Sequence, residues 1–327
     1  MSDDCRYGVV ALGNAIVDVL AYADDSFLVS EKIAKGGMTL IDEKRAVDLY
    51  KKMETSVEAS GGSAANTLAG FGSFGGKGAF VGKVAEDKLG DTFIRDMRSQ
   101  GIDFDTAPLR HGPSTACCYI FVTPDAQRSM NTYLGASTEF SESDVDASII
   151  AEGQILYMEG YLFDKDPAKK AFRKAAHFAR AKSRKVALTL SDTFCVERHR
   201  QEFMDLVSKD TDIVFANTNE LCALFETDDL EEAMATAQSL CDLVVVTQGP
   251  KGATILSKNE RIDVPAAQVD KVVDTTGAGD QFAAGFLYGL TEGMPLAECG
   301  RLGCLAAAEV ISHMGPRPEH AYKKLLG

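Results

Sequence analysis

The segment DTTGAGDQFAAGFLYG at residues 274–289 combines features that suit phosphoryl transfer. Gly277 and Gly279 permit tight backbone turns and the close approach of a ligand to the main chain. The small and apolar residues that follow predict a helix with Asp280 in its first turn. Unpaired N–H groups at a helix start attract an anion, and a carboxylate beside them can accept a proton from an attacking hydroxyl group. The alternative interpretation is an ordinary helix start with glycines for packing.

Other classes of protein are disfavoured by composition and motif. GAGDQF lacks the third glycine of the dinucleotide fingerprint, and neither GxxxxGKS nor GxxxxGKT occurs, so this is not a P-loop enzyme. The formal net charge of −14 disfavours nucleic acid and anionic membranes as partners. Eight cysteines without a CxxC pair favour reduced, buried thiols. A polar, acidic N-terminus and the lack of a long apolar run lead us to expect a cytoplasmic protein.

The elements that must position Asp280 alternate regularly in the second half of the chain. Strand-like segments are separated by amphipathic segments with helical spacing, and two helices close the chain. The predicted strands are 155–158, 185–190, 213–216 and 243–247, and the predicted helices are 167–182, 197–208, 219–225, 229–239, 278–292 and 295–312. This alternation predicts an α/β fold whose mostly parallel sheet has helices on both faces.

The first half of the chain is less regular. It contains predicted strands at 7–12 and 79–84, predicted helices at 43–56 and 86–100, and a predicted hairpin of strands at 114–123 and 128–134. A second hairpin is predicted at 253–264. The hairpin-like ranges 20–42 and 112–136 do not fit the alternation, so we expect them to form a small separate β-layer. Without repeats or linkers, residues 1–327 are predicted to form one domain.

Two segments together carry a family resemblance. DTTGAGDQFAAGF resembles the C-terminal signature of the ribokinase-like (PfkB) carbohydrate kinases, and SGGSAANTLAGFGSFG at 60–75 resembles their N-terminal signature. The likeness covers essentially the whole chain. It implies a three-layer αβα sandwich with a mostly parallel central sheet and a small β-sheet lid, formed here by about 20–42 and 112–136.

The resemblance also implies how ATP and Mg²⁺ are held. Asp280 would be the catalytic base, and the backbone of Gly277, Ala278 and Gly279 would form the anion hole. NTNE at 217–220 matches a motif whose glutamate organises Mg²⁺ through water, although without the family it is simply a helix cap and first turn. The ATP-binding residues implied are Asn217, Glu220, Thr247, Gly249 and Gly252. A K⁺ site often accompanies this anion hole, and backbone carbonyls near Asp274 and in 309–315 could provide it.

The acceptor site resembles that of the adenosine kinase branch of the family. GNAIVDV, GGSAANT, QRSMNTYLGAS and LSDTF are each similar to a segment of that branch. An ionised aspartate accepts hydrogen bonds from vicinal hydroxyl groups, which suits Asp18. The acceptor-binding residues implied are Asn14, Asp18, Gly62, Ser63, Asn66, Arg128, Leu162 and Phe194, with Tyr161 beside them.

The function that follows is an ATP-dependent phosphotransferase acting on a primary, 5′-type hydroxyl group, with adenosine as the favoured acceptor and AMP as product. Departures from the branch keep a sugar kinase open, because Ala15 follows Asn14 where the branch has proline, and Ala64 and Ala65 replace larger polar residues. Ribose, fructose or a sugar phosphate would then be the acceptor. A third interpretation is a non-catalytic nucleoside or sugar sensor on a kinase scaffold.

Overall fold

A computed structural model describes residues 5–53, 56–125 and 127–326. The strands it contains are β1 Tyr7–Leu12, β2 Ile16–Tyr22, β3 Met38–Leu40, β4 Val57–Gly61, β5 Gly78–Val81, β6 Ile102–Phe104, β7 Ala116–Val122, β8 Arg128–Tyr133, β9 Gly153–Glu159, β10 Lys185–Thr189, β11 Ile213–Asn217, β12 Leu243–Thr247, β13 Ala253–Ser257 and β14 Arg261–Val264. They form one large and one small sheet.

The large sheet has the strand order β14-β13-β12-β11-β10-β9-β1-β5-β6. All of its pairings from β12 to β6 are parallel, and β13 and β14 extend it as an antiparallel hairpin. The central strands are nearly continuous apolar runs, as in LVVVT of β12, because helices cover both of their faces. The predicted α/β architecture and the hairpin at 253–264 are therefore confirmed.

The structure contains the predicted helices close to their predicted bounds, with two exceptions, together with further helices that were not predicted. They are α1 Asp25–Ser30, α2 Glu43–Tyr50, α3 Ser63–Phe74, α4 Lys88–Ser99, α5 Ala147–Ala151, α6 Asp166–Ala181, α7 Thr193–Arg198, α8 Arg200–Asp210, α9 Thr218–Phe225, α10 Leu230–Leu240, α11 Ala278–Thr291 and α12 Leu296–Val310. The prediction of one helix at 197–208 was wrong, because the chain forms two helices that meet at His199. The helix predicted at 43–56 stops at Tyr50.

Alternate side chains of each central strand enter two separate cores. Val9 and Ala11 belong to the core beneath α3, α4, α11 and α12, whereas Val10 and Leu12 belong to the core beneath α6, α8, α9 and α10. This follows from the twofold alternation of side chains along a strand. The large sheet is thus the middle layer of a three-layer αβα sandwich, as the resemblance implied. In the part of the chain that is described, no helix has the length and apolarity needed to cross a bilayer.

The small sheet has the order β3-β8-β7-β2-β4. The hairpin predicted within 112–136 is present as the antiparallel pair β7 and β8. The hairpin-like prediction for 20–42 was wrong, because α1 separates β2 from β3 and each strand pairs elsewhere. Strand β2 runs parallel to β7 and antiparallel to β4, while β3 pairs with β8. Such long-range pairings leave no local signal in the sequence.

Helices α3 and α11 pack closely and thereby join the two signature segments. Gly70 lies on α3 where a Cβ atom would come within 2.0 Å of the Gln281 side-chain oxygen and 2.8 Å of Ala284. The small residues of the two helices permit this close packing. As a consequence, the first turn of α3 and the first turn of α11 meet at one end of the large sheet.

Candidate active site

The candidate site residues gather where parallel strands of the large sheet end. Asn14 follows β1, and Glu159 and Thr247 are the last residues of β9 and β12. Asn217 ends β11 and caps the helix after it. Ligands of open α/β sheets characteristically bind at the carboxyl ends of such strands. The sheet therefore brings residues from distant parts of the sequence to one edge.

Asp280 stands in the first turn of α11 and is held by two side chains of α3. Its Oδ1 atom accepts a hydrogen bond of 2.6 Å from the Ser63 hydroxyl, and its Oδ2 atom accepts one of 3.1 Å from the Asn66 amide. Burial raises the pKa of Asp280 to about 6, although these two bonds and the Arg317 guanidinium oppose the shift. The two hydrogen bonds thus orient the carboxylate, and a general base requires such a fixed orientation.

Glu159 was missed by the sequence analysis, yet it joins three parts of the site. Its side chain is 1% exposed at the end of β9. One oxygen accepts from the Asn14 amide at 2.8 Å, and the other accepts from the Ala64 backbone N–H at 2.9 Å. That N–H belongs to the first turn of α3, whose N-cap Gly62 has no side chain to satisfy it. Burial raises the pKa of Glu159 to about 7.

Gly62 forms the turn between β4 and α3, and Asp18 lies beside the end of β4. Gly62 has a φ of 93°, and a Cβ atom there would lie 2.4 Å from the Asn14 carbonyl oxygen, so only glycine fits. Asp18 lies within β2, and its carboxyl group is 2.5 Å from the position of a Cβ atom on Gly61. Burial raises the pKa of Asp18 to about 6, while Arg317 and Arg128 oppose the rise. Its carboxylate has no hydrogen-bond donor among the described residues, so it is free to bind hydroxyl groups.

Arg128 connects the small sheet to the loop before α11. Its side chain is 6% exposed, and its Nη1 atom lies 2.5 Å from Asp274 Oδ2. The other Asp274 oxygen accepts from the backbone and hydroxyl of Thr276. Within the described chain, Arg128 Nε and Nη2 are buried without a hydrogen-bond partner. Buried guanidinium donors of this kind are suited to an anion.

Arg317 is a second functional candidate that the sequence analysis missed. Its Nε atom donates to Asn66 Oδ1 at 3.1 Å, and its Nη1 atom donates to Ser60 Oγ at 2.7 Å. Nη1 also lies 3.3 Å from Asp96 Oδ2. GPRP after the last long helix has no periodicity that distinguishes it, so only three-dimensional proximity identifies this residue. The signal for Glu159 was stronger, since a charge ends the otherwise apolar strand ILYME.

The predicted anion hole is open at the start of α11. Gly277 is the N-cap, with a φ of 79°, and a Cβ atom there would strike Pro316. A Cβ atom on Gly279 would meet no described atom within 4 Å. Gly277 is therefore glycine for conformation, whereas Gly279 borders free space. Of the predicted anion-hole residues, Ala278 already donates its N–H to the Thr275 carbonyl at 3.2 Å. This cradle fits a phosphate group.

Asn217 and Glu220 form a capping box at the start of α9. The Glu220 carboxylate accepts from the Asn217 backbone N–H at 2.9 Å and from its amide at 2.6 Å. Burial raises the pKa of Glu220 to about 7. The described residues contain no group of three acidic, histidine or cysteine side chains that could hold a metal ion. This arrangement fits Mg²⁺ held through water and nucleotide phosphates rather than in an all-protein cage.

The two glycines of the predicted nucleotide loop differ in what surrounds them. Gly249 has a φ of 56° and free space where a side chain would start. Gly252 has a φ of 93°, and a Cβ atom there would lie 2.0 Å from the Val264 carbonyl oxygen. Gly252 is thus fixed by the approach of β14. Gly249, in contrast, borders open space, and Thr247 is half-buried at the end of β12.

The residues predicted to line a base pocket do not all reach the surface. Phe194 is 72% exposed at the start of α7, and Tyr161 is 37% exposed. The Tyr161 N–H group donates to Ser191 Oγ, and Ser191 adopts a φ of 72°, which is uncommon for serine. Leu162, in contrast, is 4% exposed and packs into the core beneath α6. Phe194 and Tyr161 are therefore accessible to a ligand, whereas Leu162 is not.

Comparisons with known proteins agree with this geometry. The sequence profile described as "pfkB family carbohydrate kinase" matches residues 30–321. A solved adenosine kinase from Sinorhizobium meliloti is 49% identical, with a TM-score of 0.90, over 98% of this chain and 99% of its own. A probable sugar kinase from Rhizobium etli is 48% identical, also with a TM-score of 0.90, over 98% of both chains. A 5-dehydro-2-deoxygluconokinase from Bacillus licheniformis is 27% identical over 95% of this chain and 92% of its own.

Proposed function

Because the chain belongs to the pfkB family of carbohydrate kinases, we propose that it transfers the γ-phosphoryl group of ATP to the 5′-hydroxyl group of a nucleoside, adenosine first. The observation that carries this proposal is an apolar wall beside Asp18. The similarity to the Sinorhizobium meliloti adenosine kinase supports it.

The apolar wall is the face of the small sheet that also carries Asp18 and Arg128. Strand register places Asp18 beside Cys118 and Val122 beside Arg128, so these side chains share one face. That face forms an apolar cluster separate from the main cores. Its members are Cys118, Ile120 and Val122, with Ile16, Leu20 and Met130 packed against them.

A nucleoside matches this combination of groups better than a free sugar does. It presents two vicinal hydroxyl groups to a carboxylate such as Asp18 and a flat, largely apolar base to the wall. The exposed rings of Phe194 and Tyr161 would add aromatic contacts to that base. A free sugar carries hydroxyl groups on all sides, and those facing the wall would lose hydrogen bonds to water without replacement.

In this proposal, each step of the reaction has a residue that performs it. Asp18 binds the acceptor diol, and Asp280 accepts the proton of the 5′-hydroxyl group as it attacks the γ-phosphorus in line. The N–H groups of Gly277, Gly279 and Asp280 and the unpaired donors of Arg128 stabilise the charge on the transferred group. When bound through Glu220 and water, Mg²⁺ would neutralise charge on the phosphates.

At Asp280, the acceptor hydroxyl group competes with a hydrogen-bond donor of the protein itself. Ser63 already donates to Asp280 Oδ1, so the attacking hydroxyl group replaces that bond at the base. Closure of the small sheet over the site would exclude water, and the Arg128–Asp274 contact would help to hold it closed.

A K⁺ site remains part of the proposal. The two predicted segments lie together, because the N–H groups of Val273 and Asp274 donate to the Ile311 carbonyl and Gly315 N–H donates to Asp274. Backbone carbonyls of these segments would provide the ligands. The test is the turnover rate in KCl compared with a tetramethylammonium salt of equal ionic strength. Equal rates in the two salts would remove K⁺ from the proposal.

A sugar acceptor is the second candidate, and one observation favours it. Glu159 adds a buried carboxylate beside Asn14 at the acceptor edge, which would suit additional sugar hydroxyl groups once its internal bonds exchange. The match to 5-dehydro-2-deoxygluconokinases over most of the chain points the same way.

A coupled ATP-turnover assay with Mg²⁺ decides between the candidates. The panel contains adenosine, other nucleosides, ribose, fructose, fructose phosphates and 5-dehydro-2-deoxygluconate. We expect kcat/KM to be highest for adenosine, with AMP as the product. A higher kcat/KM for a sugar would overturn the acceptor assignment and leave the kinase assignment intact.

Phe194→Ala tests the base pocket directly. We expect KM for adenosine to rise by about tenfold, since stacking on one ring contributes roughly 1–3 kcal/mol. Phe178→Ala, which removes a half-buried ring on α6, is the matched control. An unchanged KM in the Phe194 variant would remove that ring from the pocket.

A further inference from the structure

A chain of four side chains runs from the outer helix α4 to the base at the start of α11. Asp96 on α4 lies 3.3 Å from Arg317 Nη1, Arg317 Nε donates to Asn66 Oδ1 at 3.1 Å, and Asn66 Nδ2 donates to Asp280 Oδ2 at 3.1 Å. Ser60 anchors the far end, since its backbone N–H and its hydroxyl group both donate to Asp96.

We propose that Arg317 is a positioning residue, which fixes the Asn66 side-chain amide so that its NH₂ group faces Asp280. This inference rests on the proposed role of Asp280 as base. A side-chain amide has a donor end and an acceptor end that can exchange by rotation. A guanidinium group only donates, so it binds the oxygen of Asn66 and leaves the NH₂ group for the carboxylate.

The fork of the guanidinium group is what makes this possible. Nε holds Asn66 while Nη1 holds Ser60, so the arginine is anchored at both ends. Lysine has a single charged atom and cannot reproduce two directed contacts from one plane. Arg317 Nη2 is buried without a hydrogen-bond partner in the described residues. Retaining an unsatisfied buried donor costs stability, which is expected where a side chain is held for function.

The position of Arg317 also affects the charge on the base. Arg317 lowers the pKa of Asp280, while Asp18 raises it. The other titratable groups that interact electrostatically with Asp280 come from β9, from the turn after it and from α9, and they are Tyr157, Glu159, Tyr161 and Glu220. None of these is a cation, so Arg317 is the principal opposing charge. Its loss should raise the pKa of Asp280.

The test compares Arg317→Met and Arg317→Lys with wild type, using the best acceptor of the panel. Displacing a catalytic group by about 1 Å can lower the rate by about 10²-fold, and we expect Arg317→Met to lower kcat by about that factor. The acidic limb of its kcat/KM profile should move to higher pH. Arg317→Lys should keep that limb near the wild-type position, because the charge remains, but kcat should stay low.

A double-mutant cycle separates positioning from a general structural role. If Arg317 acts through Asn66, then Arg317→Met should cause almost no further loss of kcat in an Asn66→Ala background. The matched control is Arg200→Met, which removes contacts to the Ala223 carbonyl and to Glu226 away from the base. Arg200→Met should change thermal stability without moving the pH profile.

The outcomes distinguish this inference from the proposed function. Equal losses of kcat from Arg317→Met in both backgrounds, or an unmoved acidic limb, would overturn the positioning role. If Arg317→Met does not fold, the same cycle with Arg317→Lys decides the question. Turnover that survives in Asp280→Asn would instead overturn the base assignment and leave the contacts of Arg317 without a catalytic meaning.

Discussion

The proposed acceptor half and the proposed nucleotide half of the site are built in different ways. On the acceptor side, Ser63, Asn66 and Asp280 are joined by side-chain hydrogen bonds, and Arg317 anchors the group from behind. On the nucleotide side, the first turn of α11 borders open space at Gly279. Specific side chains pre-organise the acceptor half, whereas helix and loop geometry pre-organises the nucleotide half.

This difference determines what each half can recognise. A network of side chains fixes the direction of the base, so it is sensitive to the position of a single hydroxyl group. Backbone donors at a helix start recognise any phosphate that reaches them. Changes in the acceptor half should therefore alter turnover through individual side chains, whereas changes in the nucleotide half should act through steric access.

The largest expected effect comes from removing the base. Asp280→Asn keeps the size of the side chain but cannot accept a proton, so we expect kcat to fall by about 10²-fold or more. Calorimetric binding of ATP and acceptor should remain close to wild type. Near-normal turnover in this variant would show that the acceptor half does not contain the base.

Closing the open space at the helix start should have the next largest effect. Gly279→Val introduces a side chain where no described atom lies within 4 Å, so the fold should survive. Blocked access to the N–H groups should lower kcat/KM for ATP on the order of 10²-fold.

Gly285→Val is the contrasting variant for this prediction. Its Cβ atom would lie 2.5 Å from the Leu302 carbonyl oxygen, so Tm should fall markedly. Full activity in Gly279→Val would place the phosphates elsewhere.

A smaller effect is expected at the predicted magnesium position. Glu220→Gln retains one carbonyl oxygen for the capping box but loses the negative charge. We expect the Mg²⁺ concentration for half-maximal turnover to rise by about tenfold. Glu260→Gln, at an exposed turn, is the control. An unchanged Mg²⁺ dependence would exclude Glu220 from organising the ion.

The smallest effect concerns the pH dependence of stability. The pKa of Glu159 is raised from 4.5 to about 7 in the folded chain, so the folded state binds more protons than the unfolded state between these values. Stability contributed by this group is therefore lost as pH rises through that range. Relative to Glu159→Gln, the wild-type Tm should fall between pH 4.5 and pH 7. A constant difference in Tm across this range would contradict the raised pKa.

The sequence predicted the large sheet and the helix start before Asp280 well because both depend on local patterns. Apolar runs between amphipathic segments define the central strands, and the glycines before Asp280 define a helix start. The partners of β2 and β3 could not be predicted, since their pairing depends on residues about a hundred positions away. The same limit applies to Arg317, which reaches Asn66 across 251 positions of sequence.

The roles of individual site residues were also only partly readable. Ser63 and Asn66 were expected to contact the acceptor, and the structure shows them bonded to Asp280. Leu162 follows an exposed ring in sequence, yet the turn after β9 directs it into the core. Residue type indicates what a side chain can bond to, whereas the backbone decides which partner it reaches.

The hydrogen bond between Ser63 and Asp280 also bears on how much ATP is hydrolysed by water instead of being used on an acceptor. A tethered hydroxyl group competes with any incoming one at Asp280 Oδ1, and tethering gives it a high effective concentration. A lone water molecule offers only its own hydrogen bonds in that competition, whereas a true acceptor adds contacts with Asp18 and the apolar wall. If Asp280 is the base, as proposed, the serine would favour the acceptor over water and would limit the hydrolysis of ATP.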